Sequence, residues 1–138
     1  MLQNQIRYTL GKEERLKSRK LIDQLFKEGK SFSSFPFRVV WKYLPSASDS
    51  FLKAGFTVST KHFKKAVDRN RIRRLMKEAY RLQKNELQKC LEQNNKPLAI
   101  FIIYIGKEVP IYTLVVDKIS SVLLRLQKIV NENNSANR

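Results

Sequence analysis

The chain has 138 residues, one domain's worth, and with 42% hydrophobic and 10% aromatic residues it can bury a real core, which excludes wholesale disorder. Its 28 Lys and Arg against 12 Asp and Glu leave +16 at pH 7, a balance that calls for a polyanionic partner, nucleic acid or an anionic membrane surface. No apolar run approaches the roughly 18–20 residues that span a bilayer, the first residues lack the pattern of a secretory leader, and one Cys and one His supply neither an internal disulfide nor a histidine-based metal site. A cytoplasmic protein without a membrane role is expected.

In chain order, residues 1–11 have no period and read as an irregular arm, residues 12–130 as a single domain, and residues 131–138 as a disordered polar tail. From Lys12 onward, Leu16, Ile22, Leu25 and Phe26 recur at helical spacing, predicting a short amphipathic helix that ends at Gly29, a residue suited to a left-handed cap. Ser31 to Ser59 is rich in aromatic and β-branched residues and reads as strands, with Pro45–Ser50 as a hairpin loop. In the first long strand Phe37, Val39, Trp41 and Tyr43 suit a buried face and leave Arg38, Val40 and Lys42 on the other. In the next, Ala54, Phe56 and Val58 pack while Lys53, Gly55, Thr57 and Ser59 face outward, so one sheet face is polar and partly basic.

Residues 66 to about 91 form the longest helical segment. After Pro97 the run Leu98 to Ile105 is an almost unbroken apolar strand, the pattern of a strand covered on both faces. Val115, Ile119, Val122, Leu123, Leu126 and Ile129 then mark a last helix from Tyr112 to about Val130.

The strongest signal lies in Lys61 to Lys84, with ten basic residues against Asp68 and Glu78, a net +8 and half the charge of the whole chain. At about 100° per residue, Ile72, Leu75, Met76 and Ala79 share one side of a helix, and Asn70, Arg73, Arg74, Lys77, Arg81 and Lys84 gather on the other. A solvated helix face normally mixes signs. Here ten cations face only two acids and repel one another, an arrangement suited to a line of phosphates, each of which releases condensed counterions when neutralised.

Hydrolytic chemistry finds no support in the residues. A two-metal nuclease needs several carboxylates converging on Mg²⁺, whereas the acids are scattered singly apart from Glu13-Glu14, which can serve a helix start. No catalytic residue, metal site or Gly-rich phosphate loop is expected in the chain.

The segment Lys65-Ala66-Val67-Asp68-Arg69-Asn70-Arg71-Ile72-Arg73-Arg74-Leu75 resembles the Arg-Asn-Arg signature of the bacterial ribonuclease P protein component. Arg15-Leu16 with Phe26 and Gly29 is similar to that family's first helix, and Gly55-Phe56-Thr57-Val58-Ser59-Thr60-Lys61 to the strand before its signature helix. The resemblance covers about Leu10 to Ile129. It implies an α+β two-layer sandwich of order α-β-β-β-α-β-α, a ribosomal-protein-like domain whose four-stranded sheet has a left-handed βαβ crossover, against the general right-handed rule.

It also implies the role of protein subunit of ribonuclease P, an endoribonuclease that removes the 5′ leader from precursor tRNA. Its RNA subunit carries the Mg²⁺-dependent phosphodiester hydrolysis, and the protein itself binds no cofactor. The residues carried over for the RNA subunit are Lys61, Lys65, Arg69, Asn70, Arg71, Arg73, Arg74, Lys77 and Arg81. For the leader, the family's cleft between first helix and open sheet face carries over to Phe26, with Ile22 and Val40 where the family has aromatics, so weaker stacking is expected. Arg38, Lys42, Lys53, Thr57 and Ser59 face that side, and the three cations can add phosphate contacts. The alternative is a structural RNA-binding or ribosome-associated protein without a processing role. A DNA regulator ranks below both, because no helix-turn-helix pair or dimerisation heptad is present.

Overall fold

The computed structural model describes residues 10–45 and 50–136. A short 3-10 turn, Lys12–Glu14, precedes helix α1 (Arg19–Glu28), and strands β1 (Lys30–Ser34), β2 (Phe37–Tyr43) and β3 (Leu52–Val58) follow. Helices α2 (Ala66–Gln83) and α3 (Asn85–Asn94), strand β4 (Leu98–Tyr104) and helix α4 (Tyr112–Ala136) complete the chain. The architecture is the expected α+β one, with one helix more than the expected order. The long basic helix breaks at Lys84, whose backbone stays helical while the chain starts afresh at Asn85.

The sheet order is β1-β2-β4-β3. β4 pairs antiparallel with β2 and parallel with β3, so β3 reaches β4 through a crossover that contains α2 and α3. This corrects the hairpin expected at Pro45–Ser50: β2 and β3 are separated by β4, and residues 46–49 lie outside the described part. The physical reason is that the most continuously apolar strand gains most by taking an inner position with a neighbour on either side.

One sheet face is closed by α2, α3 and α4. Phe37, Val39, Trp41, Ala54, Phe56, Val58, Ile100, Ile102 and Tyr104 pack there against Ile72, Met76, Tyr80, Leu91, Val115, Ile119 and Val122. Among the described residues the other face carries α1 alone of the helices, with Leu16, Leu25, Val40 and Ala99 buried beneath it and Ile22, Phe101 and Ile103 at its margin. The cover expected on both faces of β4 is therefore complete on one side only, because a ten-residue helix is about 15 Å long and cannot roof the whole sheet.

Local chemistry explains the remaining departures. The first helix starts at Arg19, capped by the Ser18 hydroxyl, which accepts from the Leu21 N–H at 3.3 Å. Gly29 is extended (φ −73°, ψ 160°), not left-handed. Its role is clearance, since a Cβ there would lie 2.4 Å from the Leu25 carbonyl oxygen and 2.9 Å from that of Trp41. At the far end α4 runs through Asn131 to Ala136, where a disordered tail was expected over 131–138, and residues 137 and 138 lie outside the described part. Asn131 Oδ1 accepts from Cys90 Sγ and from Asn94 Nδ2 of α3, each at 3.4 Å, which ties this polar end to the body. Of the irregular arm expected over residues 1–11, the first nine lie outside the described residues.

Glu13 and Glu14 lie in the first turn of the 3-10 helix, as expected of residues that serve a helix start, and Glu14 has a second partner in the interior. Glu14 is buried and forms an ion pair with Lys84, itself 1% exposed, at the α2–α3 joint, and accepts from the Gly11 N–H at 2.9 Å. Lys84 thus belongs to the interior, not to the cationic face. Above it the Tyr80 hydroxyl is fully enclosed without a hydrogen-bond partner, and burial, with the Glu14 charge second, pushes its pKa far above 10. The unfolded chain releases this proton near pH 10 while the folded chain keeps it, so stability falls as pH rises beyond that value. Tyr80→Phe is expected to be neutral or stabilising at pH 7 and to remove part of the alkaline decline, as read by urea unfolding at pH 8 and pH 10.5.

Candidate nucleic-acid interface

Helix α2 presents two different sides. Ile72, Met76, Ala79 and Tyr80 are buried, with Leu75 half-buried beside them. On the outer side Asn70, Arg71, Arg74 and Lys77 are exposed and Arg73 and Arg81 half-buried, and the approach residues Lys61 and Lys65 are exposed.

The cations are not equivalent. Arg69 Nη1 donates to the carbonyls of Phe63 and Lys64, each at 2.8 Å, fastening the loop before α2 to its first turns. Since Phe63 is buried in the main core, Arg69 sets where the outward-facing residues begin. Arg73 donates to Asn70 Oδ1 at 2.8 Å, which orients both side chains on the outer face. Arg81 forms an ion pair with Glu78, so its charge is already offset. Arg74 and Lys77 project at the centre of the face. The Lys77 ammonium is held below its usual pKa by partial burial of its stem first and then by Arg73, Arg15 and Lys17.

The open sheet face forms a second surface, built in three cross-strand rungs. Arg38, Ile103 and Thr57 share the outermost, Val40, Phe101 and Gly55 the middle one, and Lys42, Ala99 and Lys53 the one beneath α1. Every strand residue expected in the leader cleft lies on this face; Ser59, next in phase, follows β3 and donates its N–H to the Tyr104 carbonyl at 3.0 Å. Phe26, 49% exposed, leans its ring on Phe101 with centroids 5.4 Å apart. Phe101 was hidden in the sequence by the apolar run around it. The available signal was Gly55 in an otherwise large-residue strand: a Cβ there would lie 2.8 Å from the Phe101 ring.

Ile22 is half-buried at the edge of the α1 packing, and Val40 is buried, so neither offers a stacking surface. Lys42 is ion-paired with Glu28 at the end of α1, which holds the Glu28 carboxyl below the usual carboxylate range. Lys53 Nζ donates to the Glu13 carbonyl at 3.0 Å. Arg38, exposed at the open end, is the cation most available to a ligand on this face. Among the described residues no three His, Cys, Asp or Glu side chains come together, and no helix is long and apolar enough to cross a membrane.

A family model described as Ribonuclease P matches residues 10–110, a span holding both surfaces. The chain belongs to the ribonuclease P protein family. A curated ribonuclease P protein component from Porphyromonas gingivalis is 34% identical over 119 residues, covering 86% of this chain and 87% of that one. Another from Chlorobium phaeobacteroides is 32% identical over 125 residues, covering 83% and 86%. Among solved structures, the ribonuclease P protein of Thermotoga maritima superimposes with a TM-score of 0.64 at 28% identity, over 81% of this chain and 96% of that one. That of Staphylococcus aureus gives 0.65 at 21% identity, over 85% and 97%, a likeness of fold. Phe26 of α1 and Phe101 of the central strand form an aromatic pair at the margin of the open sheet face.

Proposed function

We propose that this chain is the protein subunit of a ribonuclease P ribonucleoprotein, binding the catalytic RNA subunit through the outer face of α2 and the 5′ leader of precursor tRNA on the open sheet face. Family membership makes it a component of a ribonuclease. The observation that carries the finer reading is the division of labour on α2: Arg69 is used to fix the loop, while Arg74 and Lys77 stand outward and the neighbouring Glu78 is taken up by Arg81. Mg²⁺ and the cleavage chemistry are assigned to the RNA subunit. The protein's Glu14, Glu28 and Glu78 are engaged by Lys84, Lys42 and Arg81 and serve the fold. A cytoplasmic location and no DNA partner go with this reading.

The test is to add the purified protein to its RNA subunit at limiting Mg²⁺ and follow precursor tRNA cleavage. Protein cations offset the repulsion between two RNAs, so cleavage should accelerate or need less Mg²⁺. Site-specific cleavage by rigorously RNA-free protein would refute the assignment, and RNA binding with no effect on cleavage would favour the structural RNA-binding alternative.

For the leader surface, Phe26→Ala and Phe101→Ala are each expected to weaken holoenzyme binding to precursor tRNA by about 1–3 kcal/mol, the range for a base stacked on an aromatic ring, and to leave mature tRNA binding unchanged. Arg38→Ala should add a salt-dependent loss. Lys42→Ala should cost less, because Glu28 already offsets that charge. Equal losses for precursor and mature tRNA would remove the leader from this face.

A further inference from the structure

The charge of α2 does not end at its own edge. Lys77 stands two helical turns before Lys84, on the same side of the helix, and Lys84 holds Glu14 in the interior. The next residue, Arg15, bridges Ala54 of β3 in parallel fashion, and the Leu16 N–H donates to the Ala54 carbonyl at 2.9 Å. These fixed points lay the segment from Lys12 to Lys17 along the flank of α2, with Lys12, Arg15 and Lys17 all exposed. The proximity registers at Lys77, whose ammonium is disfavoured by Arg15 and Lys17 as well as by Arg73.

The segment also walls a concavity of about 490 Å³ lined by Lys12, Arg15, Lys17 and Lys53, with Glu13 as the acidic member. Lys53 is the sheet-face residue of the rung beneath α1. Its ammonium donates to the Glu13 carbonyl, and Arg15 Nε donates to the Gly11 carbonyl at 3.4 Å, so both cations have backbone contacts that hold them in place. Holding like charges together is unfavourable. A fold that does so with a buried ion pair and a strand bridge leaves a site where a polyanion relieves the repulsion.

We infer that Lys12, Arg15 and Lys17, with the concavity they share with Lys53, form a second phosphodiester-binding surface that joins the outer face of α2 to the sheet face. The ligand is the sugar-phosphate backbone of RNA, contacted through its charge and not its bases. The inference rests on the RNA-binding reading above. Two RNAs can supply that backbone, the RNA subunit and the precursor tRNA.

The experiment compares the full-length protein with R15A/K17A, with K12Q/K17Q, which keeps Arg15 and its bond to Gly11, and with K89A/K128A, which removes two exposed charges from α3 and α4. R74A is carried alongside. Affinity for the RNA subunit, and holoenzyme affinity for precursor and mature tRNA, are titrated from 50 to 200 mM salt. At about 0.7–0.9 per lost phosphate contact, R15A/K17A and K12Q/K17Q should each flatten the log–log slope by about 1.5, so that their deficit shrinks roughly eightfold across the titration. K89A/K128A should change it little. A loss with the RNA subunit assigns the backbone to that RNA; a loss with precursor but not mature tRNA assigns it to the leader. If R15A/K17A and K12Q/K17Q both match K89A/K128A in every arm while R74A flattens the slope, the second surface is refuted. If R74A is also without effect, the RNA-binding reading of α2 falls with it.

Discussion

Replacing Arg73, Arg74 and Lys77 together with alanine is expected to remove most of the affinity for the RNA subunit while leaving the protein folded. All three lie on the outer side of α2, away from Ile72, Met76, Ala79 and Tyr80, which hold the helix to the sheet. Three lost phosphate contacts at about 0.9 each flatten the log–log salt dependence by about 2.7, so from 50 to 200 mM salt the native protein should lose roughly 40-fold more affinity than the variant. Melting temperature should hold or rise, because alanine is the best helix former and the substitutions delete the like-charge pairs Arg73/Lys77 and Arg74/Lys77. Among the described residues, the side-chain hydrogen bond removed is that of Arg73 with Asn70. An unchanged slope with a native circular-dichroism spectrum would mean that the stripe is solvated surface only.

The largest loss of stability is expected from Lys84→Met. Lys84 and Glu14 are both buried and paired, and the methionine leaves an uncompensated carboxylate next to the enclosed Tyr80 hydroxyl. Breaking one side of a buried ion pair costs about 3–5 kcal/mol, which for a domain of this size is a drop of roughly 10–20 °C in Tm. Lys84→Met combined with Glu14→Leu should recover most of that loss, since an apolar pair of similar volume is often as stable as the ions it replaces. If the double variant is as unstable as the single one, the loss comes from packing at the α2–α3 joint and not from the stranded charge.

Much of the fold was legible in the chain. The alternation in Phe37–Tyr43 and Leu52–Val58 placed Phe37, Val39, Trp41, Ala54, Phe56 and Val58 in the core, where they are, and put Arg38, Lys42 and Lys53 on the opposite face, where the register sets Lys42 and Lys53 in one rung and Arg38 two rungs away. The same period-2 reading failed at β4 because an uninterrupted apolar run carries no alternation. Phe101, on the half-covered face, could not be told from Ile100 and Ile102 on the closed one.

The charge on α2 divides in the same way. Periodicity alone shows that the basic segment Lys61–Lys84 carries an amphipathic helix with its apolar side at Ile72, Met76 and Ala79, because helical spacing is local and depends only on residue type and position. Which cations remain available depends on partners that periodicity does not show, some of them local and the decisive ones distant in the chain. Lys84 turns inward to Glu14 seventy residues away, Arg69 bends to loop carbonyls, and Arg15 and Lys17 are carried to the side of Lys77 by a strand bridge at Ala54. Side-chain partners distant in the chain are fixed by sheet order and packing, and β4, the last strand made, sets that order by inserting between β2 and β3. No local pattern in those two strands encodes the insertion, because it follows from the competition among all four strands for the two inner positions.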